Sequence, residues 1–207
     1  ALYQIEPLPI LSEETQDDGL RLSQNRLWLI DPLDGTKDFI AQTDDFAINI
    51  AIIENRRPVF GMIYLPVPQV LYYAQAGQGA FKKDLCASSS AKRLHTSDRS
   101  HQLILLKSRF SLSREHDALV ESHKDRVQEV RIVGSCIKGC HVAEGLAQGY
   151  YRFGLTSEWD TAPMDLLVHE AGGYLRQMDG SEMTYNRQDV INRMGFYVVS
   201  GPLGDLK

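Results

Sequence analysis

Cysteine is scarce: Cys86, Cys136 and Cys140 are the only three in 207 residues, too few and too scattered for a disulfide framework. A reducing, cytoplasmic setting is the default for such a chain. Long apolar runs are missing too. No stretch approaches the roughly 18 uninterrupted apolar residues of a membrane span, and nothing in the pattern indicates peripheral attachment to a membrane. There is no excess of positive charge either. Lys and Arg number 22 against 27 Asp and Glu, a formal net charge of −5, which argues against a surface that coats a nucleic-acid polymer. Low complexity is confined to Ser88-Ser89-Ser90, and no repeat is visible. The chain opens Ala1-Leu2-Tyr3-Gln4-Ile5, with no initiator Met and no signal-like segment, and reads as starting partway into a domain.

What is present is an ordinary globular composition, 43% hydrophobic and 24% charged, which excludes disordered, collagen-like and coiled-coil chains. Leu27–Ile30 is a short apolar run that meets Asp31-Pro32 and predicts a buried strand ending at a turn. Phe46–Ile53, Val59–Tyr64 and Val70–Ala74 predict an antiparallel meander. Beyond residue 100 the pattern alternates. Strands are predicted at Leu103–Leu106, Val127–Val133, Gly149–Phe153, Tyr174–Met178 and Phe196–Ser200, and helices at Ser113–Ser122, from near Ser135 to Ala147, and at Asp160–Ala171. This predicts an α/β (α+β layered) fold with a mostly-sheet subdomain over residues 1–100 and an α/β subdomain over 101–207, sharing one crevice.

The densest chemical signal is Trp28-Leu29-Ile30-Asp31-Pro32-Leu33-Asp34-Gly35-Thr36-Lys37. Two carboxylates three apart, with Pro between them, can aim both side chains and the Leu33 carbonyl at one point, an all-oxygen site of the kind hard divalent cations prefer. Gly35 and Thr36 then offer backbone N–H groups and a hydroxyl suited to phosphate. An Asx-turn that merely caps a loop explains the string equally well. In Glu158-Trp159-Asp160-Thr161-Ala162-Pro163, Asp160 stands at a helix start with Pro163 in the first turn, and from these residues alone a cap is the better reading. Glu13-Glu14 is a third acidic pair, uninformative by itself. Cys136 and Cys140 with His141 offer too few convergent ligands for zinc and read as core packing. His95, His101, His116, His123 and His169 show no ligand spacing and are expected on polar faces. Tyr72-Tyr73 and Tyr150-Tyr151 read as strand packing.

Taken in order, Glu13-Glu14, Asp31-Pro-Leu-Asp34-Gly-Thr36 and Trp159-Asp160-Thr-Ala162 resemble the lithium-sensitive, magnesium-dependent phosphatase superfamily of inositol monophosphatases, fructose bisphosphatases and 3′(2′),5′-bisphosphate nucleotidases. Gly134-Ser135 and Glu170-Ala-Gly-Gly173 match as well, and Asp34-Gly-Thr-Lys37-Asp-Phe39 looks most like the CysQ-type branch that hydrolyses adenosine 3′,5′-bisphosphate. The resemblance implies the inositol monophosphatase-like sandwich of alternating helix and sheet layers, with the family's N-terminal helical segment having no counterpart here. It implies a Mg²⁺-dependent phosphomonoesterase with two or three ions held by Glu13, Asp31, the Leu33 carbonyl, Asp34 and Asp160. Glu13, Asp34 and Thr36 are the implied catalytic residues. Gly35, Thr36, Lys37, Ser108, Arg109, Ser135 and Asp160 are the implied contacts to a small phosphate monoester. An inositol or sugar phosphatase of the same fold, and a non-catalytic phosphate-binding module, are the alternatives. A homodimer is compatible with the resemblance.

Overall fold

Period-two alternation of buried and exposed side chains builds the first half into one sheet. The computed structural model describes residues 2–110, 113–202 and 206. A short helix α1 (Leu2–Ile5) and strand β1 (Ile10–Ser12) precede β2 (Arg26–Asp34), to which β1 pairs in parallel. After a one-turn helix α2 (Thr36–Ile40), strands β3 (Ala47–Glu54), β4 (Arg57–Leu65), β5 (Val70–Gln75), β6 (Gly79–Asp84) and β7 (Lys92–Arg93) follow in spatial order as an antiparallel meander, two strands longer at its C-terminal end than the sequence predicts. The β3–β4 connection is Asn55-Arg56, both left-handed (φ 49° and 66°), the twist that two-residue hairpins require.

One difference from expectation matters for function. β2 does not stop at Asp31 but runs on to Asp34. Its pairing with β3 slips between Asp31↔Asn49 and Asp34↔Ala47, leaving an extra residue on β2. In a regular strand, residues three apart face opposite sides of the sheet. The bulge cancels that alternation, so the two carboxylates face one another, and Pro32 is tolerated where the ladder is already broken.

The second sheet comes from the alternating half: β8 (Leu103–Lys107), α3 (Arg114–Ser122), β9 (Val127–Ile132), α4 (Ile137–Ala143), β10 (Gly149–Arg152), α5 (Glu158–Glu170), β11 (Tyr174–Gln177) and β12 (Phe196–Val199), with strand order β11-β12-β10-β8-β9. Both sheets are mixed, and β8 pairs in parallel with β9 and β10. Both faces of the central strands β8, β10 and β12 are covered, which is why they read as apolar runs, whereas the edge strand β9 is exposed. Ile104, Leu106, Tyr150, Phe196 and Val198 join the main core with α4 and α5, while Leu103, Leu105, Tyr151, Tyr197 and Val199 pack on the other side with Leu119 and Val120 of α3. Helix α5 also lies across β2 to β6 of the first sheet, giving layers of sheet, helix pair, sheet and helix around one core.

Helix α4 crosses α5 where only a glycine fits: a Cβ on Gly139 would fall 2.2 Å from the Met164 sulfur. That close crossing sets Ser135 and Cys136, just before α4, beside Asp160 in the first turn of α5. Helix α4 ends at Ala143, so Ala147 is buried beyond the helix rather than on its stripe. The histidine expectation fails at His116, which is buried in α3 at 2% exposure because the helix turns that face onto the second sheet. No helix among the described residues is long and apolar enough to cross a membrane.

Candidate active site

Asp31, Asp34 and Asp160 each offer a carboxylate oxygen within 4.8 Å of the others. Their anchors differ. Asp31 Oδ1 accepts the Leu33 amide at 2.9 Å across the bulge, while its Oδ2 is buried with no partner. Asp34 Oδ2 accepts the Cys136 amide at 2.6 Å and the Ser135 hydroxyl. Asp160 Oδ2 accepts the Ser157 amide at 2.5 Å, completing a reciprocal capping box at the start of α5, two residues earlier than predicted. The cap and the functional reading are therefore both present in one side chain. Ser135 is held left-handed, at φ 52°, a conformation that costs a non-glycine residue about 1 kcal/mol or more and concentrates at functional sites.

Burial, reinforced by the neighbouring Asp34 charge, raises the Asp31 carboxyl to about 8 and Asp160 to about 7. No ion pair among the described residues neutralises Asp31, Asp34 or Asp160. Hard oxygen donors, an orphaned buried Oδ2 and a separation that a cation with ~2.0–2.6 Å bonds can bridge all fit a divalent ion.

The remaining predicted residues surround this cluster unevenly. Glu13 lies outside it, exposed just past β1, its amide donating to Ile30 O at 3.3 Å; its charge still adds to the upward push on Asp31 and Asp160. The Leu33 carbonyl accepts the Thr36 hydroxyl at 3.4 Å. Gly35 has φ 91°, and a Cβ there would meet Asp45 O at 3.0 Å and the Ser135 Cβ at 3.2 Å, so this turn needs glycine twice over. Thr36 and Lys37 are exposed on α2. Ser108 and Lys37 line a pocket of about 270 Å³ beside the acids. Arg109 reaches the same pocket, but its guanidinium is tied to Asp38 (3.2 Å) and Asp45 (2.7 Å) rather than free for a ligand.

Two cations in the pocket wall escape the sequence reading. Lys138 is buried at 2% exposure. Its ammonium donates to Ser135 O at 2.5 Å and Val133 O at 3.2 Å, sits 4.8 Å from the centre of the Tyr150 ring, and is drawn down by burial to about 8. Arg152 follows on β10, with one nitrogen on Leu155 O and a buried Nε that has no partner. The signal was legible for Lys138, a lone Lys on an apolar helix face three residues after Ser135, since Lys is rarely buried without a reason. Nothing local marks Arg152.

A layered two-sheet fold that gathers unneutralised carboxylates beside a cation-lined pocket defines the class, a metal-dependent phosphoric monoester hydrolase. Residues 3–195 match the model of the inositol monophosphatase family, and the chain belongs to that family. The 3′(2′),5′-bisphosphate nucleotidase CysQ of Salmonella typhimurium is 37% identical over 193 residues, covering 92% of this chain and 75% of the relative. Its counterpart in Escherichia coli K12 is 36% identical over 196 residues, with the same coverage. Among solved structures, CysQ from Bacteroides thetaiotaomicron superposes with a TM-score of 0.85 at 36% identity, covering 93% of this chain and 77% of that one. The inositol monophosphatase of Anabaena gives 0.78 at 27% identity, covering 99% and 78%.

Proposed function

We propose that this chain is a Mg²⁺-dependent phosphatase that removes the 3′-phosphate of adenosine 3′,5′-bisphosphate, leaving AMP and inorganic phosphate. The observation that carries the choice of substrate is the pair of cations, Lys138 and Arg152, in the pocket whose other wall is Asp34 and Asp160. A phosphate at the acids is the one hydrolysed. A second phosphate on the same substrate would be drawn by the positive charge of Lys138 and Arg152 behind the pocket wall, and an inositol monophosphate has no such group to offer. The CysQ names carried by relatives at 36–37% identity support the same choice.

In this reading Glu13, Asp31, the Leu33 carbonyl, Asp34 and Asp160 hold the metal ions. Mg²⁺ bound there supplies charge neutralisation of the transferring phosphoryl group and activation of a water. The chain does the rest by position. Asp34 is locked by Ser135 and the Cys136 amide, so its free oxygen stays aimed into the cluster. Thr36 presents a hydroxyl beside the Leu33 carbonyl, where it orients the attacking water by accepting a hydrogen bond from it. Gly35, at φ 91°, gives the backbone after Asp34 the left-handed turn that carries the chain into Thr36 beside the acids. The −5 net charge does not repel such a substrate once the local sign at the acids is reversed.

Phosphate release from adenosine 3′,5′-bisphosphate and from inositol 1-phosphate, each with and without Mg²⁺, tests this. A preference for the bisphosphate that depends on Mg²⁺ is expected; faster release from inositol 1-phosphate would transfer the assignment to the inositol branch.

A further inference from the structure

Residues 13–25, the excursion between β1 and β2 that carries Glu13, are held by polar contacts rather than by a core. Among them only Arg21 is buried, at 2% exposure, while its neighbours Leu20 and Leu22 face solvent. The Arg21 guanidinium bonds in two directions. Within the excursion, Nε and Nη2 donate to Asp17 Oδ2 at 3.0 and 2.8 Å. Across the molecule, Nη1 donates to Asn186 Oδ1 at 2.8 Å and Nη2 to Arg187 O at 3.0 Å. Asn186 returns the contact, its Nδ2 donating to Arg21 O at 3.1 Å and to Gln24 O at 3.0 Å. A planar fork of fixed donors suits such a two-way bridge.

The far end of this bridge leads to the acids. Glu158, the first residue of α5, is fully buried, and its carboxylate accepts the Asn186 amide at 2.6 Å, the Arg187 amide at 2.8 Å and Arg187 Nε at 3.0 Å. A buried carboxylate bonded this completely is a rigid anchor, because releasing a donor leaves charge unpaired in a low dielectric. Asn192, which accepts Arg187 Nη2 at 2.6 Å, donates to Ser157 O at 2.9 Å, and the Ser157 amide is the one that holds Asp160. A continuous set of bonds therefore joins the Glu13 excursion to the helix start that carries Asp160, and none of Arg21, Asn186, Arg187 and Glu158 lines the pocket. Glu13 stands apart from the three clustered aspartates, so its reach to a shared cation depends on where the excursion lies. We propose that Arg21 is a positioning residue for the metal site: by bridging the excursion to Asn186 and Arg187 on the α5 anchor, it presents Glu13 to a divalent cation held by Asp31, Asp34 and Asp160. The inference rests on the reading that these four acids hold the metal.

Binding of Mn²⁺ to the whole metal-free chain, followed by electron paramagnetic resonance in the absence of substrate, tests this, since Mn²⁺ shares the preference of Mg²⁺ for oxygen ligands. Arg21→Gln should weaken binding about tenfold, the low end for loss of a group that orients a metal ligand. Asn186→Gly allows the same left-handed backbone (φ 57°) and removes only the bridging carboxamide, so it should weaken binding in the same sense. Glu13→Gln should weaken it too, and Arg21→Gln added to Glu13→Gln should cost nothing further, because Arg21 acts through Glu13. Val199→Ala, in the core on the far side of the second sheet, should lower Tm and leave Mn²⁺ affinity unchanged. Asp160→Asn tests the underlying reading separately: Mn²⁺ binding that survives it removes the cation site, and the proposal with it. If Asp160→Asn does lose the ion, three results overturn the positioning role alone. These are wild-type affinity in either Arg21→Gln or Asn186→Gly, an undiminished further loss when Arg21→Gln is added to Glu13→Gln, and a loss in Val199→Ala as large as that in Arg21→Gln.

Discussion

Asp31→Asn should make the metal-free protein more stable while removing its activity. An isolated Asp titrates near 3.8, and burial among Asp34, Asp160 and Glu13 raises Asp31 to about 8. Between those values the unfolded chain has released the proton and the folded chain still holds it. Stability therefore falls as pH rises from about 4 to about 8 and levels off above. At pH 7 the gap is about 3 pH units at ~1.4 kcal/mol each, an upper limit of ~4 kcal/mol. Asp34 and Asp160 share the same repulsion, so about half of it, ~2 kcal/mol, is the gain expected from the substitution. Asn retains the acceptor for the Leu33 amide, and its NH₂ replaces the orphaned Oδ2 with a donor facing two carboxylates. For a chain of this length ~2 kcal/mol raises Tm by about 4–8 °C. The assay is a set of thermal melts of wild type and variant in EDTA and in Mg²⁺, from pH 5 to about 9. Wild type should lose stability with rising pH in EDTA and regain it with Mg²⁺, while the variant is flatter in pH and gains less from Mg²⁺. Phosphatase activity of the variant should drop at least ~10²-fold. A variant that melts below wild type at pH 8 in EDTA, or one stabilised by Mg²⁺ as fully as wild type, refutes the account of the cluster as a cation site held empty at a cost.

Asp160→Asn should also abolish turnover yet preserve the helix, because Asn still accepts the Ser157 amide; Asp160→Ala loses the cap as well and should melt at a stability lower by about 1 kcal/mol. Equal stability of the two variants would separate Asp160 from its capping role. Arg152→Gln should raise KM for adenosine 3′,5′-bisphosphate several-fold and leave hydrolysis of a monophosphate ester little changed; an equal loss on both substrates would remove the second-phosphate assignment. Li⁺ should inhibit where K⁺ does not, at matched ionic strength and fixed Mg²⁺, since Li⁺ accepts the same oxygen ligands with half the charge. Coincident titration curves would show that the site formed by Asp34 and Asp160 does not admit it.

The sequence by itself determined the elements and the chemistry they carry. Apolar alternation marked the meander and most later strands, and the three acidic motifs, read together, resemble a phosphatase superfamily and through that resemblance point to Glu13, Asp31, Asp34 and Asp160. Tertiary structure decided what depends on distant partners. No local pattern shows that β2 continues through Asp31 to Asp34 on a bulge, since the slip exists only against β3. The crossing of α4 and α5 at Gly139 brings Ser135 onto Asp34, 101 positions away, and puts the α5 cap beside both. Arg109, which the resemblance implies as a substrate contact, is held by Asp38 and Asp45 through contacts that span 71 and 64 positions. Lys138 and Arg152 become pocket cations because their elements bound the same crevice. Propensity acts over a few residues and is written locally, whereas burial and charge act through space, and only the packed chain says which groups share them.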